Sequence, residues 1–272
     1  MSYDISAPAH AMTIAGSEAT GGAGAQADLK TFQELGVFGS IALTCIVSFD
    51  PKNEWGHRFV PVESTVIADQ IEAICGDYPQ RLRTTKLGMM GSVETIQTVA
   101  TALDQHTWEH IVLDPVLICK GQEPGAAQDT DEALKKMLLP KATFVTPNHF
   151  EAEQLSGITI TDEASLIEAA KIIHDLAGTA VLAKGGVRLS GPEAIDVFYD
   201  GGEVTVLRAE KVGEHAVSGA GCTLAAAVTA ELAKGATNLE AATRAKEFVT
   251  AGIRQRVTGE TPFTALWQGG LR

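Results

Sequence analysis

Short apolar runs alternate with amphipathic segments along most of the chain, and this alternation predicts strands followed by helices. The run at 40–49 is rich in β-branched residues and almost continuously apolar, as expected of a strand buried on both faces. The segment at 63–74 instead repeats apolar residues at helical spacing. The same criteria predict further strands at 84–88, 110–116, 142–147 and 179–184, a hairpin at 194–208, and helices at 92–103, 165–176, 221–234 and 238–256.

Strands that alternate with helices of this length predict an α/β fold, with a mainly parallel central sheet and helices on both faces. No linker or repeat divides the chain, so we expect a single domain over 1–272 with its core at about 10–256. Asp129 and Glu132 have the spacing of a capping box, which predicts that a helix begins there and stops at Pro140. Residues 1–9 and those after about 258 are predicted to be peripheral.

The charge balance of the chain excludes several classes of partner. The 272 residues include 21 Lys and Arg against 34 Asp and Glu, which gives a formal net charge of −13. Nucleic acids and anionic membranes require clustered basic residues, so neither is expected to bind. The longest uncharged apolar stretches, 38–49 and 216–230, are shorter than the ~18–20 residues of a membrane helix.

The cysteines and the first residues indicate a cytoplasmic protein. Cys45, Cys75, Cys119 and Cys222 show no CxxC spacing, so neither a zinc site nor a disulfide framework is expected. The first ten residues lack a basic segment followed by an apolar one, so no secretory signal is expected. Cys45 and Cys75 lie in apolar surroundings and are interpreted as packing residues.

A glycine-rich loop after the first apolar run is the first candidate for ligand binding. It extends from Gly16 to Gly24 and leads into a helix that holds Asp28. Glycines allow a backbone to approach a ligand closely, although they also suit a flexible loop at a helix start. The loop matches neither GxGxxG nor GxxxxGK[ST], which argues against a nicotinamide-dependent oxidoreductase. Asp28 is either a surface acid favoured by the helix dipole or a polar anchor for a ligand.

Three further strand ends carry polar residues. Asp114 ends an apolar strand, where a carboxylate is costly unless it faces a cleft or a cation. Cys119, Lys120 and Gly121 follow in a segment without helical or strand periodicity, which is interpreted either as a mobile flap or as an ordinary loop. Asn148 and Glu151 have capping-box spacing, so a structural role competes with binding of phosphate and hydrated Mg²⁺. Lys184 either meets phosphate or extends to solvent.

The segment from Gly219 to Cys222 is the strongest single signal. Its glycines precede a helix, where free N–H groups and the positive end of the helix dipole form an anion site. Cys222 at the helix start is expected to have a lowered pKa and thiolate character. Small residues at this point could also serve only tight helix packing.

In combination, these segments resemble the ribokinase superfamily, and within it the hydroxymethylpyrimidine (phosphate) kinase branch. The resemblance covers about residues 10–256 in colinear order. It therefore implies the ribokinase-like version of the predicted fold. The matching residues are Ala15–Ser17, Gly21–Phe32, Lys86–Met89, Asp114–Val116, Thr146–Asn148 with Glu151 and Ala152, Lys184–Gly186, and Gly219–Thr223.

Three local features are similar to a subgroup of this branch that phosphorylates pyridoxal. Cys119 stands where pyrimidine-phosphate kinases usually have Ala, and Ala220 gives Gly-Ala-Gly-Cys where they usually have Gly-Thr-Gly-Cys. Phe49 replaces a Gln that bonds the pyrimidine ring, which favours a stacked pyridine over an aminopyrimidine. The loop departs from the family at Glu18-Ala19-Thr20, where Asp-Ser-Gly-type residues are usual.

The resemblance implies transfer of the γ-phosphoryl group of ATP to the 5′-hydroxymethyl group of pyridoxal, pyridoxine or pyridoxamine. It implies Mg²⁺ with ATP and a homodimer, and it leaves a monovalent cation open. The resemblance also implies a role for individual residues. The catalytic residues are the anion hole of Gly219, Ala220 and Gly221, with Cys222 as base and Cys119 as its helper. ATP is bound by Asn148, Lys184, Gly186 and Gly221, and the metal by Asp114 and Glu151, partly through water. The vitamin pocket is lined by Gly16, Asp28, Phe49, Met89 and Val116.

Two other functions stay open at this point. The nearer one is a hydroxymethylpyrimidine or hydroxymethylpyrimidine-phosphate kinase of thiamine synthesis, against which Phe49 and Cys119 argue. The other is a catalytically silent ligand-binding or regulatory protein on the same fold, against which the intact Asp114, Glu151 and Lys184 argue. A sugar kinase is disfavoured because Cys222 stands where those enzymes carry an Asp base.

Overall fold

A computed structural model describes residues 7–117 and 124–272, with side chains from residue 128 onwards in the second range. Nine strands form one sheet in the order β3-β2-β1-β4-β5-β6-β7-β8-β9. The strands are β1 Ala9–Glu18, β2 Val37–Asp50, β3 Gly56–Pro61, β4 Leu82–Leu87, β5 His110–Leu113, β6 Phe144–Val145, β7 Ala180–Lys184, β8 Glu193–Tyr199 and β9 Thr205–Glu210.

The six strands from β2 to β7 in the sheet are parallel, and antiparallel pairing occurs only at the margins, at β2–β3, β7–β8 and β8–β9. The predicted strands and the hairpin at 194–208 are therefore confirmed, whereas neither β1 nor β3 was among the predicted strands. β3 has no buried residue, and its sequence lacks the apolar run that marked the predicted strands.

Helices cover both faces of the sheet, which confirms the predicted αβα sandwich. On one face α1, α7 and α8 enclose a core of small and aromatic residues; on the other, α2 to α6 enclose a larger aliphatic core. The helices are α1 Gly24–Glu34, α2 Ser64–Asp77, α3 Val93–Leu103, α4 Pro124–Met137, α5 His149–Ser156, α6 Glu163–Ala177, α7 Ala220–Ala233 and α8 Asn238–Arg254.

The predicted helix start at Asp129 and Glu132 is wrong. Helix α4 begins at Pro124, so both acidic residues lie inside it. Residues three apart also share a face within a helix, and Pro is well suited to a first helical position, so the capping-box spacing was misleading here. A 3₁₀ turn at Leu139–Lys141 follows, and Pro140 lies within it.

The C-terminal residues are not peripheral, contrary to the sequence-based expectation. Leu266 and Gln268 are 2% and 3% exposed, and the Gln268 side chain donates a hydrogen bond to Thr223 Oγ1 at 3.1 Å. This segment contains few consecutive apolar residues, so its burial depends on contacts with α7 and α8 rather than on a periodic pattern.

The order of the strands places a ligand site at one edge of the sheet. Strand β1 lies between β2 and β4, so the connections leave it in opposite directions. Loops diverge at such a switch point and open a crevice at the carboxyl ends of the strands. In the part of the chain that the structure describes, no helix is long and apolar enough to cross a membrane.

Candidate active site

Gly16 lies against Met89, which was predicted to line the vitamin pocket, and against Cys45, which was interpreted as a packing residue. The β1–β2 register shifts between Ala15 and Ser17, which marks a bulge in β2 opposite Gly16. A Cβ atom on Gly16 would lie 2.5 Å from Cys45 Sγ and 2.9 Å from Met89 Cε. Only glycine fits here without displacing its neighbours, and the structure brings Gly16 and Met89 together as the sequence analysis expected.

The glycine-rich loop is held in place by the carboxylate of Glu18. That carboxylate accepts hydrogen bonds from the N–H groups of Thr20 at 2.7 Å, Gly22 at 3.0 Å and Ala23 at 3.2 Å. These donors precede α1, which has no side-chain cap from Ala23, its N-cap residue. Glu18 therefore satisfies the start of the helix from outside it. In the sequence, Glu18 is apparent only as a departure from the family.

Gly219 joins this loop to the start of α7. Gly219 has a φ of +78°, and a Cβ atom there would lie 1.8 Å from the carbonyl oxygen of Gly22. Both the conformation and the contact require glycine. The start of α7 has no side-chain cap, as an anion site requires. The Ala220 N–H, however, donates to the Val217 carbonyl at 3.2 Å, so it is the least suited of the four predicted donors.

The first turn of α7 faces the ends of β5 and β7. A Cβ atom on Gly221 would lie 3.5 Å from Lys184 Nζ and 4.0 Å from Asp114 Oδ2. Lys184 Nζ and Asp114 Oδ1 are themselves 3.5 Å apart. The sequence-predicted Gly221, Lys184 and Asp114 therefore share one site. Gly186, two residues after Lys184, is exposed and has a φ of +58°.

Asn148 and Glu151 form the capping box that the sequence analysis gave as the structural alternative. The Asn148 N–H donates to Glu151 Oε2 at 2.8 Å, and the Glu151 N–H donates to Asn148 Oδ1 at 3.0 Å. Burial and the nearby Asp114 raise the pKa of Glu151 to about 8, although Lys184 opposes the shift. A cation bound beside Asp114 and Glu151 would favour the ionised form of Glu151 and so lower this pKa.

Asp28 is paired with a lysine inside the protein. Its carboxylate is completely buried and accepts hydrogen bonds from Lys86 Nζ at 2.8 and 2.9 Å and from Thr13 Oγ1 at 2.6 Å. The interpretation of Asp28 as a surface acid is wrong, and its role as a ligand anchor stays a prediction. Burial alone would lower the pKa of Lys86, but Asp28, Cys222 and Asp114 outweigh burial and raise it. This ion pair ties α1 and β1 to β4.

The expected low pKa of Cys222 is not found. Burial raises the pKa of the Cys222 thiol to about 11, and the negative charges of Asp114 and Asp28 add to this shift. Lys86 and a hydrogen bond from the Gly24 backbone lower the pKa but do not compensate. The sequence shows the helix start but not the buried carboxylates around it, so it gave the wrong direction.

The remaining vitamin-pocket residues lie along the same edge. Val116 is half-buried after a tight turn in which its N–H donates to the Asp114 carbonyl at 2.8 Å. The Phe49 ring lies 4.7 Å from the His57 ring and 5.2 Å from the Phe263 ring. Phe263 belongs to the C-terminal residues that the sequence analysis set aside. Cys119 lies outside the described residues, so its role stays a prediction.

Comparison with known proteins identifies the family. The profile described as phosphomethylpyrimidine kinase matches residues 18–264. The chain belongs to the phosphomethylpyrimidine kinase family. The family resemblance stated from the motifs is thereby confirmed.

Individual relatives in this family differ in their similarity to the chain. Pyridoxine kinase of Bacillus subtilis is 44% identical over 265 residues, covering 94% of this chain and 96% of the relative. The structure of Staphylococcus aureus pyridoxal kinase in complex with AMP-PCP and pyridoxal has a TM-score of 0.89 at 37% identity, covering 98% and 95% of the two chains. That of phosphomethylpyrimidine kinase from Clostridium difficile has a TM-score of 0.76 at 34% identity, covering 90% and 99%.

The buried ion pair beneath the site generates a stability prediction. Asp28→Asn leaves the Lys86 ammonium buried without its counter-charge, so the free energy of unfolding in urea should fall by about 3–5 kcal/mol. Asp104→Asn is the control, because the Asp104 side chain is exposed and the loss of its ion pair with Lys141 should stay below about 1 kcal/mol. Equal losses for the two variants would contradict the assignment.

Proposed function

We propose that this protein is an ATP-dependent pyridoxal kinase that also accepts pyridoxine and pyridoxamine. The observation that carries the proposal is the apolar wall at Phe49, on the sheet edge that holds the start of α7. An aromatic side chain there offers a face to a pyridine ring and no hydrogen bond to an amino group. The greater similarity to the S. aureus pyridoxal kinase than to the C. difficile phosphomethylpyrimidine kinase supports the same choice.

The phosphate end of the site is assigned to α7 and the strand ends beside it. The N–H groups from Gly219 to Cys222, chiefly those after Ala220, receive the transferring phosphoryl group. Lys184, 3.5 Å from where a Gly221 Cβ would lie, supplies positive charge to the ATP phosphates, with Asn148 and Gly186 alongside. Phosphoryl transfer depends mainly on such positioning and charge stabilisation, because little covalent chemistry falls to the protein.

Asp114 and Glu151 fit a Mg²⁺ ion that accompanies ATP. Both are buried carboxyl groups; burial is the main reason why the pKa of Glu151 is raised, and the nearby Asp114 adds to the shift. Mg²⁺ takes oxygen ligands and is typically held by one or two carboxylates together with substrate phosphates and water. When bound, it would neutralise phosphate charge. The described residues contain no group of three or more metal-ligating side chains, which suits an ion shared with the nucleotide.

Cys222 is assigned the role of base, which accepts the proton of the substrate hydroxymethyl group. Its sulfur lies at the start of α7, within hydrogen-bond reach of the Gly24 backbone. A resting thiol must first ionise, so only the thiolate fraction can accept the proton. A reducing cytoplasm suits this role, since the thiol must stay free.

The second candidate activity is the one for which the family profile is named, phosphomethylpyrimidine kinase. Phosphorylation of hydroxymethylpyrimidine or its phosphate would use the same phosphate end and a different ring contact at Phe49. Only the ring pocket separates the two functions, so the choice between them is one of substrate specificity.

A homodimer is part of the proposal, and the edge of the sheet supports it. Ile46 and Val60 are opposite each other in the β2–β3 pair and are 48% and 59% exposed. Apolar side chains on an edge pair favour contact with a second copy.

The substrate is tested with Mg-ATP and a panel of pyridoxal, pyridoxine, pyridoxamine, hydroxymethylpyrimidine and its phosphate. We expect kcat/KM for pyridoxal to exceed that for the pyrimidine phosphate by at least ~10-fold, because Phe49 offers the aminopyrimidine no partner. A preference for the pyrimidine phosphate would assign the thiamine-related function instead. Absence of turnover with every compound would support a catalytically silent protein.

Replacement of Cys222 tests its role as proton acceptor. Cys222→Ala should lower turnover more than ~10-fold in a folded protein. Because its pKa is raised to about 11, the thiolate fraction increases with pH, so wild-type turnover should rise from about pH 7 to about pH 9 while that of the variant stays flat. Cys75→Ala, at the end of α2, should behave as wild type. Near-normal turnover of Cys222→Ala would exclude the role.

Replacement of Ile46 tests the dimer. Ile46→Lys places a charge in the apolar edge pair, so the mass measured by light scattering should fall to that of one chain. Leu176→Lys is the control, because Leu176 is also an exposed aliphatic residue but lies on α6; this variant should keep the wild-type mass. Unchanged mass for Ile46→Lys would place the interface elsewhere.

A further inference from the structure

The last part of the chain is bonded directly to the start of α7. Within this C-terminal segment, defined as residues 257–268, Ala265 and Val257 exchange backbone hydrogen bonds of 2.8 and 2.9 Å. The Ser218 N–H donates to the Thr264 carbonyl at 2.8 Å, and the Leu266 N–H donates to the Ser218 carbonyl at 3.0 Å. Ser218 immediately precedes Gly219, so the segment is fixed beside the anion site.

Side-chain packing secures the same segment on two helices. A Cβ atom on Gly252 of α8 would lie 2.7 Å from Leu266 Cδ2, and Gln268 bonds Thr223 of α7. Such close contacts leave the backbone little freedom to move. The segment is therefore part of the rigid structure around the site.

This placement brings Phe263 to the wall of the proposed vitamin pocket. A Cβ atom on Gly22 would lie 2.8 Å from Ala265 Cβ, so the segment also touches the glycine-rich loop. Two residues earlier, the Phe263 ring lies 5.2 Å from that of Phe49 at an interplanar angle of 55°. Both rings are only half-buried, so each keeps part of its surface for another contact.

We propose that Phe263 determines specificity for the substrate ring, as the second aromatic side of the pocket whose first side is Phe49. The inference rests on the proposed function, since it concerns the pyridine ring of a vitamin B6 compound. Two tilted rings present an apolar corner in which a flat heteroaromatic ring can make offset or edge contacts. Neither ring offers a partner for an amino group, so the corner disfavours an aminopyrimidine.

The position of the Phe263 ring in the site predicts which kinetic constant its replacement changes. The ring lies on the Phe49 side of the glycine-rich loop, whereas Lys184 and Asp114 lie at the first turn of α7. Loss of the Phe263 ring should therefore weaken binding of the vitamin and leave the ATP contacts intact. Interactions present equally in ground and transition states change KM without changing kcat.

The test compares Phe263→Ala, Phe263→Leu and the control Trp267→Ala. We expect Phe263→Ala to raise KM and the directly measured Kd for pyridoxal by ~5–10-fold, with kcat and KM for ATP within ~2-fold of wild type. Phe263→Leu should fall between, since it keeps apolar contact without a ring face. Trp267→Ala removes a larger aromatic residue from the same segment, 42% exposed and away from Phe49, and should leave KM unchanged.

The outcomes separate this inference from the proposed function. Pyridoxal KM within ~2-fold of wild type in both Phe263 variants would overturn the role of Phe263 while leaving the kinase activity standing. A change of KM for ATP, kcat and thermal midpoint together, with Trp267→Ala behaving alike, would show a merely structural role and also overturn it. A wild-type protein that neither binds nor phosphorylates pyridoxal would defeat the proposed function itself.

Discussion

The contact between the carbonyl of Gly22 and the backbone of Gly219 is the constraint on which the rest of the site depends. At this point the glycine-rich loop and the start of α7 approach so closely that even a Cβ atom would collide, at 1.8 Å. The approach sets the position of the anion site relative to Gly16 and Phe49, and thus of phosphate relative to ring. Glu18 fixes the loop on one side, and the C-terminal segment holds Ser218 on the other.

Charge in this protein is arranged locally. The chain carries a net charge of −13, yet its proposed substrate ATP is a polyanion. In the proposed function, backbone N–H groups at the start of α7 and the ammonium of Lys184 receive the phosphates, so no basic surface is needed. Beneath them the Asp28–Lys86 pair is completely buried. Burial is the main cause of the raised pKa of Cys222; Asp114 and Asp28 add to the shift, and Lys86 opposes it. A thiol at a helix start is therefore not automatically a thiolate.

The sequence predicted the elements with a strong periodic pattern and missed those without one. The predicted buried strands, the hairpin at 194–208 and the helix that begins near Ser92 are all present, because each depends on residues close together in the chain. Strand β3 has no buried residue and was not predicted from the sequence. The capping-box spacing of Asp129 and Glu132 occurs inside α4, since the same spacing also serves a continuous helix. In the site, Gly16 does lie beside Met89, and Gly221 beside Lys184 and Asp114, as anticipated.

By itself, the sequence determined the αβα fold, the strand ends that carry polar residues, and the family. Hydrophobic periodicity and short motifs are properties of neighbouring residues, so they can be read without coordinates. Only the tertiary structure decided that Asp28 pairs with Lys86, that Cys222 is surrounded by carboxylates, and that Phe263 meets Phe49. Each of these depends on residues far apart in the chain, 58 positions in the case of Asp28 and Lys86. Burial and proximity, which set both pKa and pocket shape, arise only when the chain is folded.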